Sequence, residues 1–233
     1  MLGVRRRLAA GGVVAVAALA LAGCTISLPA QQEVPPTAAA PTSFAAPATT
    51  AGHDAAAVAA ADMTFAAGAT LSPGEPLAFA DSLATASYGS DAAAPEWTAA
   101  PSPAAGSQKY TNAAGCTLVH WTTVNQGPLA TSGDDRAATT ELFRYLMPSV
   151  VESSLKPAAW SWNKEPGKGG PSIDFLSYRS RDAASGSAVA AWGRMVSAAD
   201  MGLFISLACP TEAALDLATA SASARLSVVP PSR

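Results

Sequence analysis

Cys116-Thr-Leu-Val-His-Trp-Thr-Thr-Val124 is the stretch on which the fold of this chain turns. It is rich in β-branched and aromatic residues, which fit a pleated surface, and contains neither Gly nor Pro. Alternation with a period of two sets Leu118, His120 and Val124 on one face of a strand, and Val119 and Trp121 on the other. Downstream, Ser132-Gly-Asp-Asp135 fits a capping box before a run with Leu142 and Leu146 four apart and Phe143 and Met147 on the neighbouring stripe. This predicts a helix, stopped or kinked by Pro148. Extended segments follow at Trp160–Asn163, Ile173–Arg181, Ala188–Val196 and Gly202–Cys209, the last two joined across Ser197–Met201. Strands with such short links pair antiparallel. Thr211 then caps a closing helix with a stripe through Leu215, Ala218, Ala222 and Leu226. The expected class is α+β, an antiparallel β-sheet packed with helices.

Upstream of the quoted strand the character changes. Leu71–Gln108 carries Pro73, Pro76, Pro95, Pro101 and Pro103, which predicts loops with short extended pieces around Leu77–Phe79 and Trp97. His53–Ala61 has only Val58 to bury, so it reads as a weak helix or continuing linker. One globular domain is expected over residues 62–230, near the commonest domain size and without internal repeats. Alanine accounts for 56 of 233 residues, and because it buries little apolar area, the core must come from the large side chains concentrated after residue 97.

Residues 24–61 form the expected linker. Between Thr25 and Gly52 it has five prolines among Ala, Thr, Ser and Gln, with Glu33 as its sole charge. Such a segment buries too little to offset its ordering entropy, so disorder is expected.

The start of the chain has the layout of a secretory signal over residues 1–23. Arg5, Arg6 and Arg7 precede an uncharged run from Leu8 to Ala22, and as a helix this run spans roughly 22 Å, short of a ~30 Å hydrocarbon core. It ends Leu21-Ala22-Gly23-Cys24, which resembles the lipobox of bacterial lipoprotein precursors. The resemblance implies cleavage before Cys24, lipid on its thiol, and attachment to the outer face of a membrane; two or three acyl chains hold a protein there stably. Loss of residues 1–23 leaves 11 basic against 17 acidic side chains, a formal −6. That balance argues against nucleic acid as a partner and leaves anchoring to the lipid.

With Cys24 acylated, Cys116 and Cys209 remain, an even pair in an oxidising compartment, and a disulfide is predicted. Their separation of 93 residues corresponds to about 4–5 kcal/mol in the chain-entropy model. The rival is a metal or redox site. It has no C-x-x-C to support it, and one of the two histidines sits in the linker, so no metal ligands and no cofactor are assigned.

Candidate chemistry is sparse. Ser153-Ser-Leu-Lys156 matches the S-x-x-K of serine acyl-transferases, where Lys activates the hydroxyl, but S-D-N and K-T-G are missing. His120 has no nucleophile elbow to pair with. Pro166-Gly-Lys-Gly-Gly-Pro171 lacks P-loop spacing and reads as a flexible loop. No residue is therefore assigned a catalytic role. Trp160 and Trp162 share one face of a strand; they are either core or the lining of a groove for an apolar or carbohydrate ligand.

The order of elements, a Trp-bearing entry, a strand, a helix, several antiparallel strands and a final helix behind a lipobox, resembles the small LpqN-type lipoproteins of actinobacteria and the wider PsbP-like α/β/α sandwich. The resemblance spans roughly residues 62–230. It implies a non-enzymatic binding or accessory protein, whose partner is a protein or a small apolar ligand. The alternative is a small cell-wall-directed hydrolase, which would need Ser153, Lys156 or His120 to converge in one cleft.

Overall fold

The quoted strand sits near one end of a curled sheet. In the computed structural model, residues 54–71, 76–85, 96–129 and 134–231 are described. Cys24, the signal segment and the linker as far as His53 lie outside the described residues. The elements are α1 (Ala55–Ala60), β1 (Ala78–Asp81), β2 (Trp97–Ala100), β3 (Ser107–Asn112), β4 (Thr117–Val124), α2 (Asp135–Leu146), β5 (Lys156–Trp162), β6 (Ser172–Arg181), β7 (Ala188–Val196), β8 (Met201–Cys209), α3 (Glu212–Arg225) and β9 (Leu226–Val229). The strands make one nine-stranded sheet in the order β1-β9-β5-β6-β7-β8-β4-β3-β2.

The expected α+β class holds, with one correction: the sheet is mixed. Every pair is antiparallel except β5 and β9. α3 carries the chain away from β8 and returns it outside β5, and that crossover lands β9 parallel. β9 follows α3 with no Gly or Pro between them, so the apolar stripe through Leu226 reads as more helix, although Leu226 already has extended backbone. β3 also carries little strand signal of its own, because Tyr110 is its one large apolar residue. β7 and β8 form the expected hairpin, with Val196 opposite Met201 and Asp200 in the left-handed region (φ 57°) closing the loop.

The two longer helices lie on opposite faces. α2 places Ala138, Leu142 and Phe143 against Leu176, Ala191, Met195 and Phe204. Gly193 lets Phe143 lie directly on the sheet, since a Cβ there would stand 2.8 Å from its ring. α3 puts Leu215, Ala218 and Ala222 into the larger cluster on the other face, with Ile205, Leu207, Leu226 and Val228. Both helices have the expected kind of ends, but the cap of α2 is Asp134, which accepts from the Ala137 N–H, and not Ser132, which lies outside the described residues. Thr211 caps α3 through the Ala214 N–H. Met147 ends α2, because Pro148 lacks the N–H to continue it.

The fold reaches back past the expected boundary at Asp62. Val58 of α1 packs on the core, and its carbonyl accepts from the Trp162 indole at 3.0 Å. Ala55–Ala60 is thus a capped helix on the domain, with Asp54 accepting from the Ala56 and Ala57 N–H groups. Cys116 and Cys209 form the predicted disulfide, with Cα atoms 4.2 Å apart. The bond extends the β4–β8 register by one pair beyond Thr117 and Ala208.

Candidate functional site

An open concave surface runs along β4. On the side away from α3, β4 presents Trp121 and Thr123, and two cavities flank Thr123. One, about 520 Å³, lies between Thr123, Asn125, Gln126, Pro128, Leu129 and the α2 residues Leu142, Tyr145 and Leu146. The other, about 310 Å³, is bounded by Pro103, Ala104, Ala105, Val119 and Trp121. No charged side chain lines either cavity among the described residues. Tyr145, on the α2 side of the larger cavity, stands 70% exposed. Val124, on the strand face of Leu118 and His120, ends β4 opposite Met201 and stands 60% exposed, with no described element covering it. Open concavities lined by apolar and uncharged side chains mark contact sites more often than isolated exposed residues do.

The other tryptophans are core. Trp160 is 5% exposed and Trp162 is fully buried, so the pair lines no groove. Trp160 meets Trp192 edge-on with centroids 5.3 Å apart, and Trp162 lies beneath α1. The curl of the sheet wraps their face around a filled interior, which strand alternation by itself does not specify.

His120 is buried in a polar cluster that sequence spacing gives no means of finding. The sheet curls until β1 packs over β3 and β4, and Asp81 accepts a hydrogen bond from the Tyr110 hydroxyl at 2.8 Å. Asp81 also lies 3.4 Å from His120 Nε2, a close electrostatic approach without hydrogen-bond alignment. Phe79 and Tyr110 cover the imidazole, with ring centroids at 4.9 and 6.0 Å. Burial pushes the Asp81 carboxyl up, but His120 and Tyr110 outweigh it and hold the group below its usual range. Burial and the adjacent carboxylate push the Tyr110 hydroxyl well above its ordinary value. The cluster fastens β1 to β3 and β4.

A second buried cluster joins α2 to β7. Arg194 is fully buried and Asp135 is 4% exposed, and Arg194 Nη2 donates to Asp135 Oδ2 and to the Thr64 carbonyl, both at 2.9 Å. Phe65 lies under the guanidinium at 4.4 Å. Desolvation, only partly offset by Asp135 and Asp174, pulls Arg194 down to about 10.

The residues considered for hydrolysis do not converge. Ser153 closes a short turn before β5, and the exposed Lys156 ammonium donates to the Ser153 carbonyl. β6, β7 and β8 separate β5 from the strand carrying His120. Pro166–Pro171 is the connection from β5 to β6, with Gly167 and Gly170 at positive φ. In comparisons with known proteins, the chain matches no family model, no curated protein and no solved structure.

Proposed function

We propose that this protein is an exported lipoprotein, held to the outer face of a membrane by lipid on Cys24, whose domain is a non-catalytic contact module of the PsbP-like, LpqN-type α/β/α kind. The observation that carries the reading is the uncharged groove on either side of Thr123, beside a core that the tryptophans fill. A groove of this size takes apolar side chains of a partner protein, with Trp121 and Tyr145 as its aromatic anchors. Two helices on opposite sheet faces support the sandwich reading, and the lipobox-like Leu21-Ala22-Gly23-Cys24 supports the anchor.

Photo-crosslinking from position 145, with a benzophenone amino acid in place of Tyr145, tests the contact role in cells. A discrete crosslinked protein that disappears with Trp121→Ala is expected. Native mass spectrometry of the domain purified from its own envelope gives the opposing result: a small apolar mass released on mild denaturation makes the groove a ligand carrier. Fatty-acid labelling tests the anchor, and label retained in Cys24→Ser overturns it.

A further inference from the structure

β6 and β7 pair only from Leu176 and Gly193 to Arg181 and Ala188. Beyond that point β7 continues through Arg194, Met195 and Val196, while the first residues of β6, Ser172–Phe175, are not paired with it, so the sheet splits. On the β7 side, α2 fills the split: Thr139 Oγ1 accepts the Met195 N–H at 2.8 Å and Asp135 Oδ1 accepts the Ser197 N–H at 2.9 Å. On the β6 side, a strap over Asp62–Leu71 fills it. Met63 bridges Ile173 in parallel, donating to the Ser172 carbonyl and accepting from the Asp174 N–H. The Phe65 N–H donates to Asp174 Oδ2 at 3.1 Å. Arg194 lies where the two fillings meet.

We propose that Asp62–Leu71 is a lid that opens as a unit, independently of the rest of the sheet, because closing it is what buries Arg194. The strap is held more by its polar edge than by apolar burial. Asp62 Oδ1 accepts from the Ser172 N–H and hydroxyl, and the Thr64 carbonyl accepts from Arg194. Met63 and Leu71 are its fully buried large apolar side chains, and Phe65 and Ala67 are only partly buried against the core. Segments with little fully buried apolar surface, held by hydrogen bonds at an exposed edge, open at lower free energy than core strands. Closure also leaves Arg194 Nε and Nη1 without hydrogen-bond partners, and a buried guanidinium is stabilised by rehydration. Opening thus regains solvation where ordinary core would only lose contacts. Gly68 shows how tight the closed state is. A Cβ there would overlap the Asp135 carboxylate and stand 2.6 Å from Arg194 Nη2, so only glycine lets the strap close fully.

Native-state hydrogen exchange on the intact domain tests the lid. In the unsubstituted protein, the Met63, Phe65 and Asp174 amides are expected to exchange together, at least tenfold faster than the amides shared by β4 and β8. Gly68→Ala wedges the lid, and should speed the same three amides by a further tenfold while leaving β4 and β8 unchanged. The double variant Asp135→Asn with Arg194→Met keeps the acceptor for Ser197 and removes the buried charges together with the Arg194 donor to the Thr64 carbonyl. Losing the solvation gained on opening outweighs that one hydrogen bond, and the three amides should slow. A purely structural ion pair gives the reverse, faster exchange at the strap. The proposal is overturned by equal rates for strap and sheet, by uniform acceleration in Gly68→Ala, or by unchanged or faster strap exchange in the double variant.

Discussion

Single residues at the buried polar clusters carry consequences that their types alone do not announce. Asp81 is held below its usual titration range in the folded state, so its contribution is present above the carboxylate value of the unfolded chain, near pH 4, and is lost as pH falls through the lower folded value. Asp81→Asn should therefore cost about 1–3 kcal/mol at pH 6, the scale of a hydrogen bond to a charged group, and far less at pH 2.5. Urea midpoints of both proteins across that range check the sign, and a pH-independent difference would contradict it. Gly193 illustrates the opposite kind of residue, one whose importance lies in what it lacks. Gly193→Ala pushes a methyl into Phe143 and should destabilise by about 1–3 kcal/mol. Trimming the ring with Phe143→Leu should make the two changes less than additive in a double-mutant cycle. Neither effect is legible in sequence: Asp81 sits among prolines in a loop-like stretch, and Gly193 is one small residue within a strand.

Elements were legible wherever local chemistry dominates. α2 and α3 are announced by caps and apolar stripes, and β7 with β8 by a short loop between two β-rich runs. Asp134→Ala removes the side-chain acceptor at the start of α2 and should cost about 1 kcal/mol, measured by thermal or urea unfolding; Asp134→Asn should recover most of it. β3 and β9 leave no local signature because each owes its existence to a neighbour. Ser107–Asn112 has little strand propensity of its own and is held by β2 and β4 on either side. Leu226–Val229 becomes strand only because β1 and β5 receive it. α1 is the mirror case, a weak helix on propensity that is retained by its Val58 contact and the Trp162 indole.

At the scale of the whole molecule, the disulfide and the tryptophans give the clearest tests. Cys116 and Cys209 join β4 and β8 across 93 residues of chain, and Cys116→Ala with Cys209→Ala should lower stability by about 2–5 kcal/mol. Four tryptophans, Trp97, Trp160, Trp162 and Trp192, are at most 9% exposed, whereas Trp121 borders the groove. Acrylamide should thus quench a small fraction of the fluorescence, and Trp121→Phe should abolish most of that fraction; quenching that persists would place another indole in the open. The α+β class, the main helices and the central strands could be read from the residues alone, because periodicity and caps act over short range, and the Cys116–Cys209 pairing followed from the expectation that Cys24 is acylated. That Trp160 and Trp162 are interior, that Asp81 reaches His120, and that Arg194 is sealed beneath a strap emerges only once the chain is folded. All three depend on the curl and split of the sheet, which arise from how distant strands meet and leave no mark in any local run of residues.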